Sequence, residues 1–97
     1  MLNNAQKRQL KALGAKLDIK YQIGKNGLTD SLLDVLNKAL VAHELIKVDV
    51  MKSIDSPVME IALDLSSKLN AEIVQVLGRT ILLFKLNKDN NKIKLVM

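Results

Sequence analysis

Apolar residues recur along the chain at two spacings, and these spacings predict three helices and four strands. In some segments they return every three or four positions, as on one face of an amphipathic helix. In others they alternate with polar residues or run together, as in strands. The predicted helices span 4–17, 30–43 and a segment that starts at Ser56-Pro57 and ends at Asn70. The predicted strands span 19–23, 45–50, 72–77 and 80–86.

Each predicted helix carries an apolar stripe that we expect to face the core. The stripe of the first helix is Leu10, Leu13 and Leu17; those of the second and third are Leu32, Val35, Leu36, Ala39 and Leu40, and Val58, Ile61, Ala62, Leu65 and Leu69. Thr29 is a good N-cap for the second helix, and Pro57 suits the first position of the third. His43 falls within the apolar arc of the second helix, near its C-terminus, which favours a core or capping role over a catalytic one.

The order of elements predicts a single α+β domain over 1–97, with the arrangement αβαβαββ and a four-stranded mixed sheet. A strand–helix–strand passage joins parallel strands, whereas the two-residue connection Gly78-Arg79 predicts an antiparallel hairpin with glycine leading the turn. The last two strands are apolar on both sides, so two helices should cover one face of the sheet and the first helix the other. The basic tail from Asn87 is expected to add an edge strand or to fray.

Composition narrows the class of protein. A chain of 97 residues, 48% of them hydrophobic, can bury a core. It contains no apolar run of the roughly 18 residues that a membrane span needs. It also contains no cysteine, which excludes disulfides and thiolate metal sites and fits a cytoplasmic location. One histidine without metal-ligating neighbours, and no nucleophile–base pair, lead us to expect neither a cofactor nor an enzyme.

The net charge of +5 is distributed unevenly along the chain. Residues 1–29 carry +5 and residues 79–97 carry +4, whereas residues 30–78 carry −4. A polyanion would therefore be attracted to the two ends. Tyr21 and Phe84 are the only aromatic residues, too few for a platform that stacks single-stranded bases. A bound nucleic acid would accordingly be held by its backbone and shape.

The segment Gly24-Lys25-Asn26-Gly27-Leu28-Thr29 joins a predicted strand to the start of a predicted helix. Two glycines three positions apart allow a sharp bend that exposes backbone N–H groups, and the positive end of the helix dipole points to the same place. Such a loop suits a phosphate, and a G-x-x-G loop clamps the nucleic-acid backbone in one RNA-binding module, although many such loops are plain turns. Lys7, Arg8 and Lys11 group on one flank of the first helix, which is either a second basic contact surface or a solvated face.

Two further segments carry a family resemblance. His43-Glu44-Leu45-Ile46-Lys47-Val48 follows the second helix, and Val74-Gln75-Val76-Leu77-Gly78-Arg79 leads into the hairpin. Together with the G-x-x-G loop they closely resemble the CRM domain (chloroplast RNA splicing and ribosome maturation), and most of all its bacterial stand-alone form, the YhbY-like proteins. The resemblance covers nearly the whole chain. It implies a fold similar to the C-terminal domain of translation initiation factor three, and RNA binding in precursors of the large ribosomal subunit.

The resemblance also implies a site. The family's RNA-contacting loop corresponds to Gly24, Lys25, Asn26 and Gly27, and we extend the expected RNA surface to Lys7, Arg8, Lys11, Lys20 and Arg79. Asp49 departs from the family pattern, which often has a basic residue there, and this weakens the expectation that the outer face of its strand contacts RNA. The expected partner is ribosomal RNA, with no membrane and no small-molecule substrate. The alternative is a protein-interaction adaptor whose basic ends meet an acidic partner, which would show an exposed apolar patch.

Overall fold

The computed structural model describes residues 2–18, 20–87 and 93–96. These residues form helices α1 (Asn4–Ala15), α2 (Asp30–His43) and α3 (Val58–Leu69), and strands β1 (Lys20–Ile23), β2 (Leu45–Val50), β3 (Glu72–Leu77) and β4 (Thr80–Phe84). The order of elements is the predicted one, and α2, β2 and β3 have their predicted bounds. Ile19, the first residue of the first predicted strand, lies outside the described residues.

Capping side chains explain where the helices start. Asn3 Oδ1 accepts the N–H of Gln6 at 2.8 Å, and Gln6 Oε1 accepts the N–H of Asn3 at 3.0 Å, a reciprocal capping box before α1. Thr29 caps α2 as predicted. Pro57 was predicted at the first position of α3 but takes the N-cap position, so the helix begins at Val58. Asn70 ends α3 in the left-handed conformation, with φ at 55°.

Two elements end earlier than the sequence predicts. α1 stops at Ala15 because the N–H groups of Lys16 and Leu17 donate to carbonyl oxygens three residues back, each at 3.1 Å, which tightens the final turn. β4 stops at Phe84, which pairs with Leu45, the first residue of β2. β2 therefore offers the end of β4 no further partner.

The sheet is mixed and four-stranded, as predicted, with the strand order β1-β2-β4-β3. β1 is parallel to β2, and β4 is antiparallel to both β2 and β3. The α3 passage thus joins two strands of the same direction, with β4 inserted between them. Gly78 leads the β3–β4 turn with φ at +60°, whereas Arg79 has no positive φ, the pattern of a type II′ hairpin turn.

Both faces of the sheet are covered, as the apolar last strands predict. α2 and α3 pack on one face, and α1 packs on the other through Leu10. The first layer buries Ile23, Leu36, Leu40, Val48, Leu65 and Leu83, and the second buries Leu10, Leu45, Val74, Leu82 and Phe84. α1 approaches the sheet closely at Gly14, where a Cβ would lie 2.7 Å from Cδ2 of Leu82.

Two residues expected in the core are exposed, and so is His43, for which the sequence favours a core or capping role. Val35 is 48% exposed because the buried arc of α2 is rotated toward Leu33, which packs against the core in its place. Leu13 is 36% exposed, and His43 is exposed as well. Leu13 and His43 border an open cavity of about 560 Å³ at the C-terminal ends of α1 and α2, so the core encloses neither of them.

The described part of the tail, residues 93–96, forms no strand and lies along α1. The side-chain amide of Gln6 donates to the carbonyl oxygen of Val96 at 3.0 Å, and that of Gln9 donates to the carbonyl oxygen of Lys94 at 2.7 Å. The N–H of Val96 donates back to Gln9 Oε1 at 2.8 Å. These bonds replace the expected edge strand in this part of the tail; residues 88–92 lie outside the described residues.

Candidate nucleic-acid interface

The loop between β1 and α2 is a tight turn with two polar residues at its tip. The N–H of Gly27 donates to the carbonyl oxygen of Gly24 at 2.9 Å, which closes a four-residue turn. Lys25 and Asn26 occupy its two central positions and are exposed. The structure therefore places the predicted contact residues of this loop together on the surface.

The two loop glycines have different reasons to be glycine. Gly27 has φ at +71°, in the left-handed region that residues with a Cβ seldom adopt. Gly24 has no positive φ, and a Cβ built on it would lie 3.6 Å from Sδ of Met51, an ordinary contact distance. The backbone conformation therefore favours glycine at position 27, whereas a side chain at position 24 would only reach toward Met51.

The N-terminus of α2 faces the same region as the loop. Thr29 Oγ1 accepts the N–H of Leu32 at 3.1 Å, which uses one of the donors at the helix end. Asp30 is exposed in the first turn and adds a negative charge there. An anion at the loop would therefore be attracted mainly by Lys25 and the backbone N–H groups of the turn, and less by the helix dipole.

A cavity of about 470 Å³ opens beside this loop. One wall is the loop itself, and the opposite wall is the segment that follows β2. The lining residues are Gln22, Gly24, Lys25, Asn26, Gly27, Thr29, Leu32, Met51 and Ser53. This lining offers uncharged hydrogen-bonding groups and one ammonium group, which are the groups that bind the sugar and phosphate oxygens of a nucleic acid.

Lys11 and Lys20 both line a smaller cavity of about 170 Å³ between α1 and the sheet. Lys47 lines this cavity too, because it is the register partner of Lys20 in the β1–β2 pair. Lys7 precedes Lys11 by one helical turn on the same side of α1, and Arg8 is exposed beside them. Lys47 was not among the expected site residues, since only the strand register shows that it lies beside Lys20.

Asp49 lies next to these lysines and is already engaged. Its Oδ1 accepts the hydroxyl of Thr80 at 2.6 Å, and its Oδ2 lies 3.8 Å from Nζ of Lys20. Nζ of Lys47 donates to the carbonyl oxygen of Leu17 at 3.2 Å. Because Asp49 offsets part of the charge of Lys20, the sheet face is less positive than the flank of α1.

Arg79 lies at the β3–β4 hairpin as predicted, but its side chain binds the chain that follows β2. Its Nε–H donates to the carbonyl oxygen of Val50 at 2.8 Å. Its Nη2 donates to the carbonyl oxygen of Met51 at 2.6 Å and approaches that of Ile54 at 3.5 Å. These partners are 25 to 29 positions away, so the local sequence gave no sign of this structural role.

Two further features of a functional site are absent from the described residues. No three of their His, Cys, Asp or Glu side chains are grouped as a metal site would require. None of the helices within the described ranges is long and apolar enough to cross a membrane.

The chain is similar in sequence to a family model and to several known proteins. The family model of the CRS1/YhbY (CRM) domain matches residues 2–85. The probable RNA-binding protein YqeI of Bacillus subtilis is 36% identical over 95 residues, which cover 98% of this chain and 99% of that protein. A probable RNA-binding protein of Pseudomonas aeruginosa is 32% identical over 91 residues, covering 94% of this chain and 88% of that protein.

A solved structure agrees with the fold as well as the sequence. The solution structure of a Staphylococcus aureus protein, described as a candidate RNA-binding protein, superposes with a TM-score of 0.81 at 35% identity. The match covers 99% of this chain and 100% of that one. From the family match, the full-length relatives and the shared fold, we conclude that the chain belongs to the CRS1/YhbY (CRM) domain family.

Proposed function

We propose that the protein binds ribosomal RNA in precursors of the large ribosomal subunit and catalyses no reaction. RNA would lie along a surface that we term the basic strip, formed by Lys7, Arg8, Lys11, Lys20 and the loop 24–27. Contacts from these groups go mainly to phosphate and sugar oxygens, which fix the position of an RNA without reading its bases. Arg79 was part of the expected surface and is given a different role below.

The observation that carries this proposal is the way β1 connects the two cavities. Lys20 lines the smaller cavity beside Lys11, and Gln22 lines the larger one beside the loop. Alternate residues of a strand point to the same face of the sheet, so Lys20 and Gln22 are neighbours on one surface. A nucleic-acid backbone could therefore follow β1 past Lys20 and Gln22 from the flank of α1 to Gly24, with Asp49, the register partner of Gln22, beside its path.

The relatives support the RNA part of the proposal, since both are named probable RNA-binding proteins. The large-subunit part rests on the resemblance to the YhbY-like CRM proteins. The proposal also places the protein in the cytoplasm, where it would meet precursor particles.

Crosslinking in cells tests the proposal. The full chain is crosslinked to RNA, and the bound sequences are mapped beside those of a Lys11→Glu/Lys25→Glu variant. We expect wild type to enrich precursor large-subunit RNA at defined positions and the variant to lose that enrichment. The proposal would be contradicted if both proteins crosslinked to the same RNA positions. It would also be contradicted if the sequences crosslinked to wild type were distributed in proportion to RNA abundance.

The adaptor hypothesis has one observation in its favour. Met59 and Leu63 are 52% and 57% exposed and lie one turn apart on α3, away from the basic strip. A Met59→Ser/Leu63→Ser variant therefore belongs in the same crosslinking experiment. An adaptor predicts that this variant loses a protein crosslink that wild type makes, whereas the RNA proposal predicts an unchanged RNA profile.

A further inference from the structure

The cavity of about 470 Å³ beside the loop 24–27 is lined on one side by that loop and on the other by the segment that follows β2. Arg79 holds this second wall in place. Met51 and Ser53 form this wall, at a turn closed by the N–H of Ile54 donating to the carbonyl oxygen of Met51 at 3.1 Å. The same oxygen accepts Nη2 of Arg79 at 2.6 Å. The turn 51–54 thus depends on one guanidinium for a bond that no neighbour in sequence provides.

A backbone hydrogen bond joins this wall to the strand that leads into the loop. The N–H of Met51 donates to the carbonyl oxygen of Ile23 at 3.1 Å, which ties the wall to the residue before Gly24. The backbone of Arg79 takes part as well, because its carbonyl oxygen accepts the N–H of Val50 at 2.8 Å. A shift of the turn 51–54 would therefore change the width of the cavity at Gly24 and Asn26.

We propose that Arg79 is a positioning residue for the RNA site: its guanidinium holds the turn 51–54 against the β1–α2 loop and does not bind a phosphate itself. This inference rests on the proposed RNA-binding function. A guanidinium presents several donors in one rigid plane, which suits carbonyl oxygens on successive residues. An ammonium group keeps the charge but lacks that planar set of donors.

Two replacements separate charge from donor geometry. Arg79→Lys keeps the positive charge and loses the planar donors. Arg79→citrulline, introduced by chemical synthesis of the 97-residue chain, keeps Nε–H and one terminal NH₂ and loses the charge. A positioning role predicts that citrulline, which keeps an Nε–H for Val50 and a terminal NH₂ for Met51, binds RNA nearly as wild type does. Lysine lacks that pair of donors and should bind at least about fivefold more weakly, the effect of losing about one hydrogen bond. A phosphate contact predicts the reverse order.

The measurement is the affinity of each full-length protein for an in vitro transcript of a large-subunit ribosomal RNA domain, at several salt concentrations. Positioning leaves the salt slope of both variants unchanged, whereas loss of one phosphate contact flattens it by about 0.7–0.9. Arg8→Ala removes an exposed arginine of the basic strip and serves as the reference for the change in salt slope when one phosphate contact is lost. A wild type that does not bind the transcript contradicts the proposed function, whereas a wild type that binds while the citrulline variant loses slope contradicts only the inference about Arg79.

A structural readout keeps the test independent of folding. Methyl-labelled methionine reports the turn through Met51, and Met59 on α3 reports the rest of the fold. We expect Arg79→Lys to move the Met51 resonance and leave that of Met59 in place, and citrulline to move neither. If Arg79→Lys does not fold, the citrulline variant decides alone: wild-type affinity, slope and Met51 position support the inference, and a flattened slope overturns it.

Discussion

The side chain of Glu44 accepts the backbone N–H of Ile93 at 2.7 Å, across 49 positions of sequence. Glu44 is fully buried and stands between α2 and β2 with φ at +63°. Its other carboxylate oxygen accepts the N–H of Asn87 at 2.8 Å, and its carbonyl oxygen accepts the N–H of Lys85 at 2.9 Å. One glutamate thus ends α2 and fixes the chain that follows β4, so we expect position 44 to tolerate few other residues.

Replacing this carboxylate is predicted to destabilise the fold. Glu44→Gln puts an NH₂ donor where one of the backbone N–H groups of Asn87 and Ile93 needs an acceptor. A buried donor left unsatisfied costs about 1–3 kcal/mol, so the free energy of unfolding should fall by that amount. Urea denaturation measures this loss, and hydrogen exchange of the Ile93 amide should become faster.

Glu60→Gln is the matched control, because Glu60 is exposed on the outer face of α3. Surface changes of this kind are usually within about 0.5 kcal/mol of wild type. Equal unfolding midpoints for the two variants would show that the Glu44 bonds contribute nothing net.

Elements governed by neighbouring residues were predicted correctly. α2 has its predicted bounds because Thr29 caps it and its apolar period is unbroken. The predicted end of β4 was wrong because β4 ends where its partner begins. Phe84 pairs with Leu45, the first residue of β2, which lies some 40 positions earlier in the sequence. Strand order was not predictable for the same reason, since nothing local to β4 shows that it lies between β2 and β3.

The candidate site divides in the same way. The turn at Gly24 and Gly27 follows from a local motif, and the structure has it. Lys47 was missed because its position beside Lys20 requires the register of two strands. Arg79 was expected at an exposed hairpin tip, which is where the chain places it, but its bonds to Val50 and Met51 depend on packing between distant segments.

Gly27 and Gly24 should respond differently to a Cβ. Gly27→Ala forces alanine to φ near +71° and should cost about 1–2 kcal/mol of stability. Gly24→Ala meets Met51 at an ordinary distance and should cost little stability. Both should weaken RNA binding by about 1–2 kcal/mol, through strain or through a narrower cavity. Parallel unfolding and RNA titrations separate the two effects.

Gly27→Asn is the control for the backbone argument, because asparagine tolerates the left-handed region better than alanine. It should recover most of the stability that Gly27→Ala loses. RNA affinity at the wild-type level in a folded Gly24→Ala/Gly27→Ala protein would show that the loop is only a turn.

The flank of α1 should contribute phosphate contacts. A Lys7→Ala/Arg8→Ala/Lys11→Ala variant should lose affinity for different structured RNAs to a similar extent, because phosphate contacts carry little sequence information. Its salt slope should flatten by about 2–3 if all three residues contact phosphates. The charge-matched control is Lys16→Ala/Lys38→Ala/Lys68→Ala, whose residues are exposed and lie outside the basic strip. Identical slopes in the two triple variants would assign the flank to solubility.

The basic strip should choose RNA by shape more than by sequence. Phe84 is buried in the layer beneath α1, and Tyr21 packs partly against the core under α2, so neither ring is placed to stack bases freely. The remaining groups of the basic strip, such as Lys11, Lys25 and the backbone of the loop, would contact phosphates and sugars, whose spacing is set by RNA folding. We therefore expect a large-subunit ribosomal RNA fragment to bind more tightly than a homopolymer of the same length at one near-physiological salt concentration. Equal affinity would mean that charge alone drives binding, which would remove the physical support for a role in subunit assembly.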